Sequence, residues 1–323
     1  MKIRFWGVQG SVPNPLTTEK LRHKIRSILE RSIQEELTSL QDIDEFIEEL
    51  PLSLNHTTGG NTTCYEIISS DGHRIFIDAG TGIRKLGNHL MQSDDDTEPE
   101  YHLLMTHLHW DHINGFPFFG PAYQEDCTIH IYGVHDYLEQ GYQRQFHPHN
   151  FPIQFEDMSA DIQFHVLDEG EPFDLGPFSI NTQKLDHPND SYAYRVTEAE
   201  NSIVIATDAE YKKLDNDFLK PFIEFYQDSD LIVFDSQYTM KEMLHKAHWG
   251  HSSPFVGVDV CLMANIPHLV MTHYDPSYSD DDMNDILART ESFKQHAMKS
   301  HANNFQYDHL DITLAYEGLE LDI

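Results

Sequence analysis

Thr106-His107-Leu108-His109-Trp110-Asp111-His112 places four metal-ligand side chains within six positions. Imidazole nitrogens and carboxylate oxygens together suit borderline divalent cations. His107 and His109, two residues apart, can turn toward one ion. Asp111 and His112, beyond a turn, can reach a second. Histidine makes up 22 of the 323 residues, so a His-x-His-x-Asp-His run is an improbable accident even in this His-rich chain. Further candidates follow later apolar runs. His187 ends Leu185-Asp186-His187, Asp208 follows Ile203-Val204-Ile205, and His273 follows Leu269-Val270-Met271-Thr272. Spacing alone leaves each of these three open to a capping or surface role.

The elements that must position these groups read as an α/β protein. Lys2 to Trp6 forms a first strand. Strands resume at Thr63 to Ile68 and at Arg74 to Ile77, the latter ending in Asp78-Ala79-Gly80. Tyr101 to Met105 feeds toward His107. Phe178 to Leu185 is a strand, and Tyr192 to Val196 pairs with Ser202 to Ala206 as a hairpin. Leu231 to Phe234 and Ile266 to Met271 are short buried strands. Ser253-Pro254 opens a helix that runs to about Ala264. Between the first strands, apolar residues at helical spacing predict one helix over Thr18 to Leu40 and a shorter one capped by Asp42 or Glu45. This helical insertion, residues 18–50, is expected to cover a site mouth or to pack on a partner subunit in a homodimer. Met91 to Glu98 is expected to be an acidic loop.

Lys and Arg total 21 against 54 Asp and Glu, for a formal charge of −33. This speaks against a broad nucleic-acid groove, because phosphate contacts draw on Lys and Arg. Three scattered cysteines argue against a disulfide framework. No apolar signal core opens the sequence, and no run reaches the roughly 18 apolar residues of a membrane span. The expectation is a cytoplasmic protein with no membrane partner.

With these motifs in view, the sequence resembles the metallo-β-lactamase superfamily, nearer its phosphodiesterase and RNase Z branches. The resemblance rests on Phe5-Trp6-Gly7, Gly59-Gly60-Asn61-Thr62, Asp78-Ala79-Gly80, His107 to His112, His187, Asp208, Gly250-His251-Ser252 and Thr272-His273. It covers nearly all of residues 1–323, leaving out the insertion. It implies a four-layer αββα sandwich with two divalent ions at one edge. One ion would be held by His107, His109 and His187, and the other by Asp111, His112 and His273, with Asp208 bridging. Asp78 would hydrogen-bond a ligating imidazole from behind. Zinc suits this donor set, and manganese and iron also occur in similar members. The catalytic group would comprise Asp111, Asp208 and His251, with His248 close enough in sequence to leave the choice of histidine open.

The chemistry so implied is hydrolysis by metal-activated hydroxide. A cyclic nucleotide or another small phosphodiester is the expected substrate, since it meets less repulsion than a polyanion. The alternatives are tRNA 3′ processing, hydrolysis of a lactone, ester or thioester, and a metal-bound sensor without turnover. Lys20, Arg22, Lys24, Arg26 and Arg31 are the best case for RNA contact. Trp110, Phe116, Phe118, Phe119, Tyr123, Tyr142 and Phe146 are mostly core candidates, one of which could stack on a base. His147 and His149 are expected in a surface loop, with phosphate contact as the other reading.

Overall fold

The computed structural model describes residues 1–35, 37–92, 99–213, 216–300 and 305–323. Most of the expected acidic loop at 91–98 therefore lies outside the described residues. The chain order begins β1 (Lys2–Gly7), β2 (Cys64–Ile68), β3 (Arg74–Ile77), β4 (Glu100–Leu104), β5 (Thr128–Gly133) and β6 (Asp161–Val166). It continues with β7 (Phe173–Leu175), β8 (Phe178–Leu185), β9 (Ser191–Glu198), β10 (Asn201–Ala206), β11 (Leu231–Asp235), β12 (His268–Thr272), β13 (Asp311–Leu314) and β14 (Glu320–Asp322).

These strands form two seven-stranded mixed sheets, β14-β1-β2-β3-β4-β5-β6 and β13-β12-β11-β10-β9-β8-β7. Each joins an antiparallel half to a parallel half: β3 to β6 run parallel in the first, β10 to β13 in the second. Helices flank the pair, giving the expected αββα sandwich.

Side-chain alternation explains why short unbroken apolar runs became strands. Along β3, Ile75 and Ile77 face the core between the sheets, while Phe76 faces the outer helical layer. Leu104 and Leu103 divide in the same way on β4. A strand buried on both faces has no polar side to show, so its sequence reads as continuous hydrophobicity. Between the sheets, Ile3, Phe5, Tyr65 and Ile67 join Tyr194, Val196, Ile203 and Ile205 in one cluster. On the outer face of the first sheet, Ile83 and Leu86 pack with Phe116, Phe119, Tyr142 and Phe146. Those four aromatics are therefore core residues.

The inserted helices correct the sequence expectation. The first spans Thr18–Ser32 and stops well before Leu40; a second, Leu40–Glu48, starts afresh. Ser39 is its N-cap, and Ser39 and Asp42 form a reciprocal capping box. Ser39 is extended, with φ −135° and ψ 167°, so no helix runs through it to Leu40. Lys24 is drawn inward, donating to the Ser53 carbonyl at 2.7 Å and pairing with Asp280 at 2.7 Å. It fastens the insertion to the helix Asp280–Ser300 and is not available as an RNA contact. Leu21, Ile25, Leu29 and Ile33 remain exposed, so the apolar stripe is not covered by the described residues. No helix among the described residues is long and apolar enough to cross a membrane.

Candidate metal centre

Every candidate ligand lies just past the end of a strand. Asp78 follows β3, His107 to His112 follow β4, His187 follows β8, Asp208 follows β10 and His273 follows β12. The C-terminal ends of parallel strands are where open α/β sheets leave a crevice. Asp78, Asp208 and His273 hold left-handed backbone, with φ of 60°, 57° and 61°. Such conformations cost on the order of 1 kcal/mol each and turn the chain sharply off the strand, aiming the side chain across the sheet edge.

Two groups of donors result. Ligand atoms of His107, His109 and His187 lie within 4.8 Å of one another, as do those of Asp111, His112, Asp208 and His273. His187 Nε2 and His109 Nδ1 are 3.0 Å apart. Asp208 faces both groups. Its Oδ1 is 3.8 Å from His107 Nε2 and 3.2 Å from His273 Nε2, and its Oδ2 is 3.2 Å from His112 Nε2. All seven sequence candidates thus converge in one dinuclear metal-binding site.

The far nitrogens are held. The Asp78 carboxylate accepts from His112 Nδ1 at 2.7 Å and from the Thr106 amide and hydroxyl, both at 2.8 Å. His187 Nδ1–H donates to the Gly250 carbonyl at 2.7 Å. Backbone approach fixes two rings further. A methyl on Gly10 would sit 2.7 Å from His273 Cδ2, and one on Gly250 would sit 2.2 Å from His187 Nδ1. Gly250 also has a φ of +83°, a region that side chains resist.

Divalent ions fit this donor set. His107 Nε2, His112 Nε2 and Asp208 Oδ2 are buried with no hydrogen-bond partner, a costly arrangement unless something else satisfies them. Burial pushes His107 well below the usual imidazole range, so its lone pair is free. Burial, then His187, brings His109 down to about 4. Burial also opposes charge on His112, but Asp208, Asp111 and Asp78 outweigh it and hold that ring well above its ordinary value. Carboxylates that impose a proton there are carboxylates in want of a cation.

A second feature was not foreseen. His251 Nδ1 donates to Asp235 Oδ2 at 2.9 Å, and Asp235 in turn accepts the amides of Ala209 at 3.2 Å and Gln237 at 3.0 Å. Burial works against charge on His251, yet Asp235 and Asp208 raise its pKa overall. The signal for Asp235 was its place directly after the apolar run Leu231 to Phe234, matching Asp208 after its own run. His251 lies beside His187 and His273, with ring centroids 5.1 Å from each. His248 is exposed, and its backbone amide donates to Glu210. Of the two histidines, His251 is the one at the site. Trp110, Phe118 and Trp249 stand exposed. His147 and His149 meet edge to face in an exposed loop.

With this geometry in place, comparison decides the family. Residues 73–274 match the model of the beta-lactamase superfamily domain. The chain belongs to that superfamily. Among superfamily relatives, ribonuclease Z of Oceanobacillus iheyensis is 25% identical over 235 residues, 57% of this chain and 74% of that protein. The probable metallo-hydrolase YhfI of Bacillus subtilis is 22% identical over 219 residues, 62% of this chain and 79% of that one. Its crystal structure aligns with a TM-score of 0.62 and 17% identity, covering 99% of this chain and 98% of the other. Unliganded yeast PDE1 aligns with a TM-score of 0.63 and 14% identity, covering 100% and 99%. The fold is thus shared with these structures, and this chain's own donor groups form a dinuclear site consistent with metal-activated hydrolysis.

Proposed function

We propose that this protein hydrolyses a small phosphodiester, with a 3′,5′-cyclic nucleotide as the preferred class. The single observation that carries the reading is the Asp208 carboxylate set between two donor groups, one oxygen near His112 and the other near His107 and His273. His107, His109 and His187 would hold one divalent ion, and Asp111, His112 and His273 the other, with Asp208 shared. Zinc is the choice that this His and Asp set supports best. When bound, the ions supply a lowered pKa for water and positive charge for phosphoryl oxygens.

The chain's own residues do the rest. Asp78 fixes the tautomer of His112 by taking its Nδ1–H, and the Gly250 carbonyl does the same for His187. Asp235 holds His251 by Nδ1, leaving Nε2 to give a proton to the departing alkoxide oxygen. The relatives named ribonuclease Z support phosphodiester chemistry in general. The −33 charge and the withdrawal of Lys24 into its pair with Asp280 favour a small substrate over a polyanion. The stripe of Leu21, Ile25, Leu29 and Ile33 supports the homodimer reading; light scattering that finds only the 37.5 kDa particle rejects it.

The deciding experiment is turnover of 3′,5′-cyclic AMP by zinc-loaded protein beside its Asp208→Ala variant. Product from the wild type only supports the reading. No product from protein with both ions bound overturns the cyclic-nucleotide assignment and moves the search to other phosphodiesters and then to acyl substrates.

A further inference from the structure

A second set of ligating side chains lies within the strands rather than beyond them. Glu100 and His102 are on β4, His130 on β5 and His165 on β6. Register brings them together, since β4 and β5 run parallel with His102 opposite His130, and β5 and β6 with Tyr132 opposite His165. The His102 and His130 rings stack with centroids 5.0 Å apart and planes 13° from parallel. Their Nε2 atoms converge on Glu100 Oε1, at 3.8 Å from His102 and 2.9 Å from His130. All three donor atoms fall within 4.8 Å of one another.

We infer that Glu100, His102 and His130 form a third site, for a borderline divalent ion such as Zn²⁺, separate from the dinuclear centre. Donors of a tetrahedral zinc site with bonds near 2.0–2.1 Å stand about 3.3 Å apart. The two distances to the Glu100 oxygen bracket that value, so small side-chain rotations suffice.

The groups behind the ligands are also in place. A ligating imidazole needs an acceptor for its other N–H. His102 Nδ1 has the Tyr132 hydroxyl at 3.2 Å, and His130 Nδ1 has His165 Nε2 at 3.0 Å. Tyr132 and His165 stack on each other at 4.6 Å, which fixes both acceptors. Without an ion, His130 donates its Nε2–H to Glu100 and accepts at Nδ1 from His165. With an ion, the proton moves to Nδ1 and is donated to His165, whose own proton shifts to its Nδ1, so no net charge is lost. The imidazole side chains are 25% and 14% exposed and the carboxylate 59%. The ion can therefore enter from solvent, and a solvent molecule can take the fourth position.

The test is equilibrium dialysis of the full, untagged chain against Zn²⁺ at neutral pH with elemental analysis. The expected stoichiometry is three ions for the wild type. His130→Gln and Glu100→Gln should keep two ions and weaken the third at least tenfold. A wild type that takes up two ions overturns the site, as does a third ion whose affinity neither variant changes. A second readout needs no variant. Cu²⁺ added as the third equivalent should show nitrogen coupling from two imidazoles in its electron paramagnetic resonance, and coordination by oxygen alone would overturn the assignment. Neither result bears on whether the dinuclear centre cleaves a phosphodiester.

Discussion

The two histidine clusters are built on opposite plans. At the dinuclear centre the ligands sit past the strand ends, on sharply turned backbone, and are buried with orphaned donor atoms. At Glu100, His102 and His130 they sit inside regular strands, are reachable from solvent, and satisfy one another without an ion. The first arrangement is left with unmet polar groups unless cations arrive; the second is complete in either state. Burial, more than the identity of the side chains, separates an obligatory site from an optional one.

That contrast can be broken by removing ligands. Asp208→Ala should lose ions from both halves of the centre and reduce turnover on the order of ten-thousandfold, as loss of a member of a catalytic unit does; elemental analysis and initial rates check it. A variant that kept both ions and its full rate would end the bridging assignment. His251→Ala should keep both ions while turnover falls about a hundredfold or more, measured on the same preparation. Asp78→Asn touches no ion. It should weaken metal binding about ten- to hundredfold by loosening His112, read by competition with a chelator.

A contact remote from both clusters calibrates what an ordinary structural ion pair contributes. Burial works to raise the Asp280 pKa, but bonds from Lys24 and Thr58 outweigh it and hold it below the usual carboxylate range. A carboxyl so depressed adds stability that is present above its unfolded pKa, near 3.9, and lost as pH falls through the folded value. Asp280→Asn should therefore lower stability at neutral pH, by about 1 kcal/mol for a partly screened pair, with the deficit shrinking in acid, by denaturant titration at several pH values. Metal content should not change. The smallest effect belongs to the outer cluster, where Glu100→Gln should leave hydrolysis unaltered.

The same contrast explains what could be read in the sequence. The His107 to His112 ligands were legible because a single turn supplies them within a few residues. His187, Asp208 and His273 were legible as positions, each following an apolar strand, but their convergence depends on strand order. Asp235 has the same placement, but its partner His251 lies 16 residues on and reaches it only in the folded chain. The outer cluster was invisible for a related reason. Its three members lie on two strands, and only parallel register sets His102 against His130. The first inserted helix was over-read because apolar residues at helical spacing continue past Ser32, where the helix ends, to the start of the second helix at Leu40.

Gly10 and Gly250 press so closely on the rings of His273 and His187 that not even a methyl group has room. The gene thus carries two codons at which any missense change injures an imidazole of the floor. Trp110, next to His109, and Trp249, next to Gly250, stand in solvent instead, so either can be exchanged with no such collision.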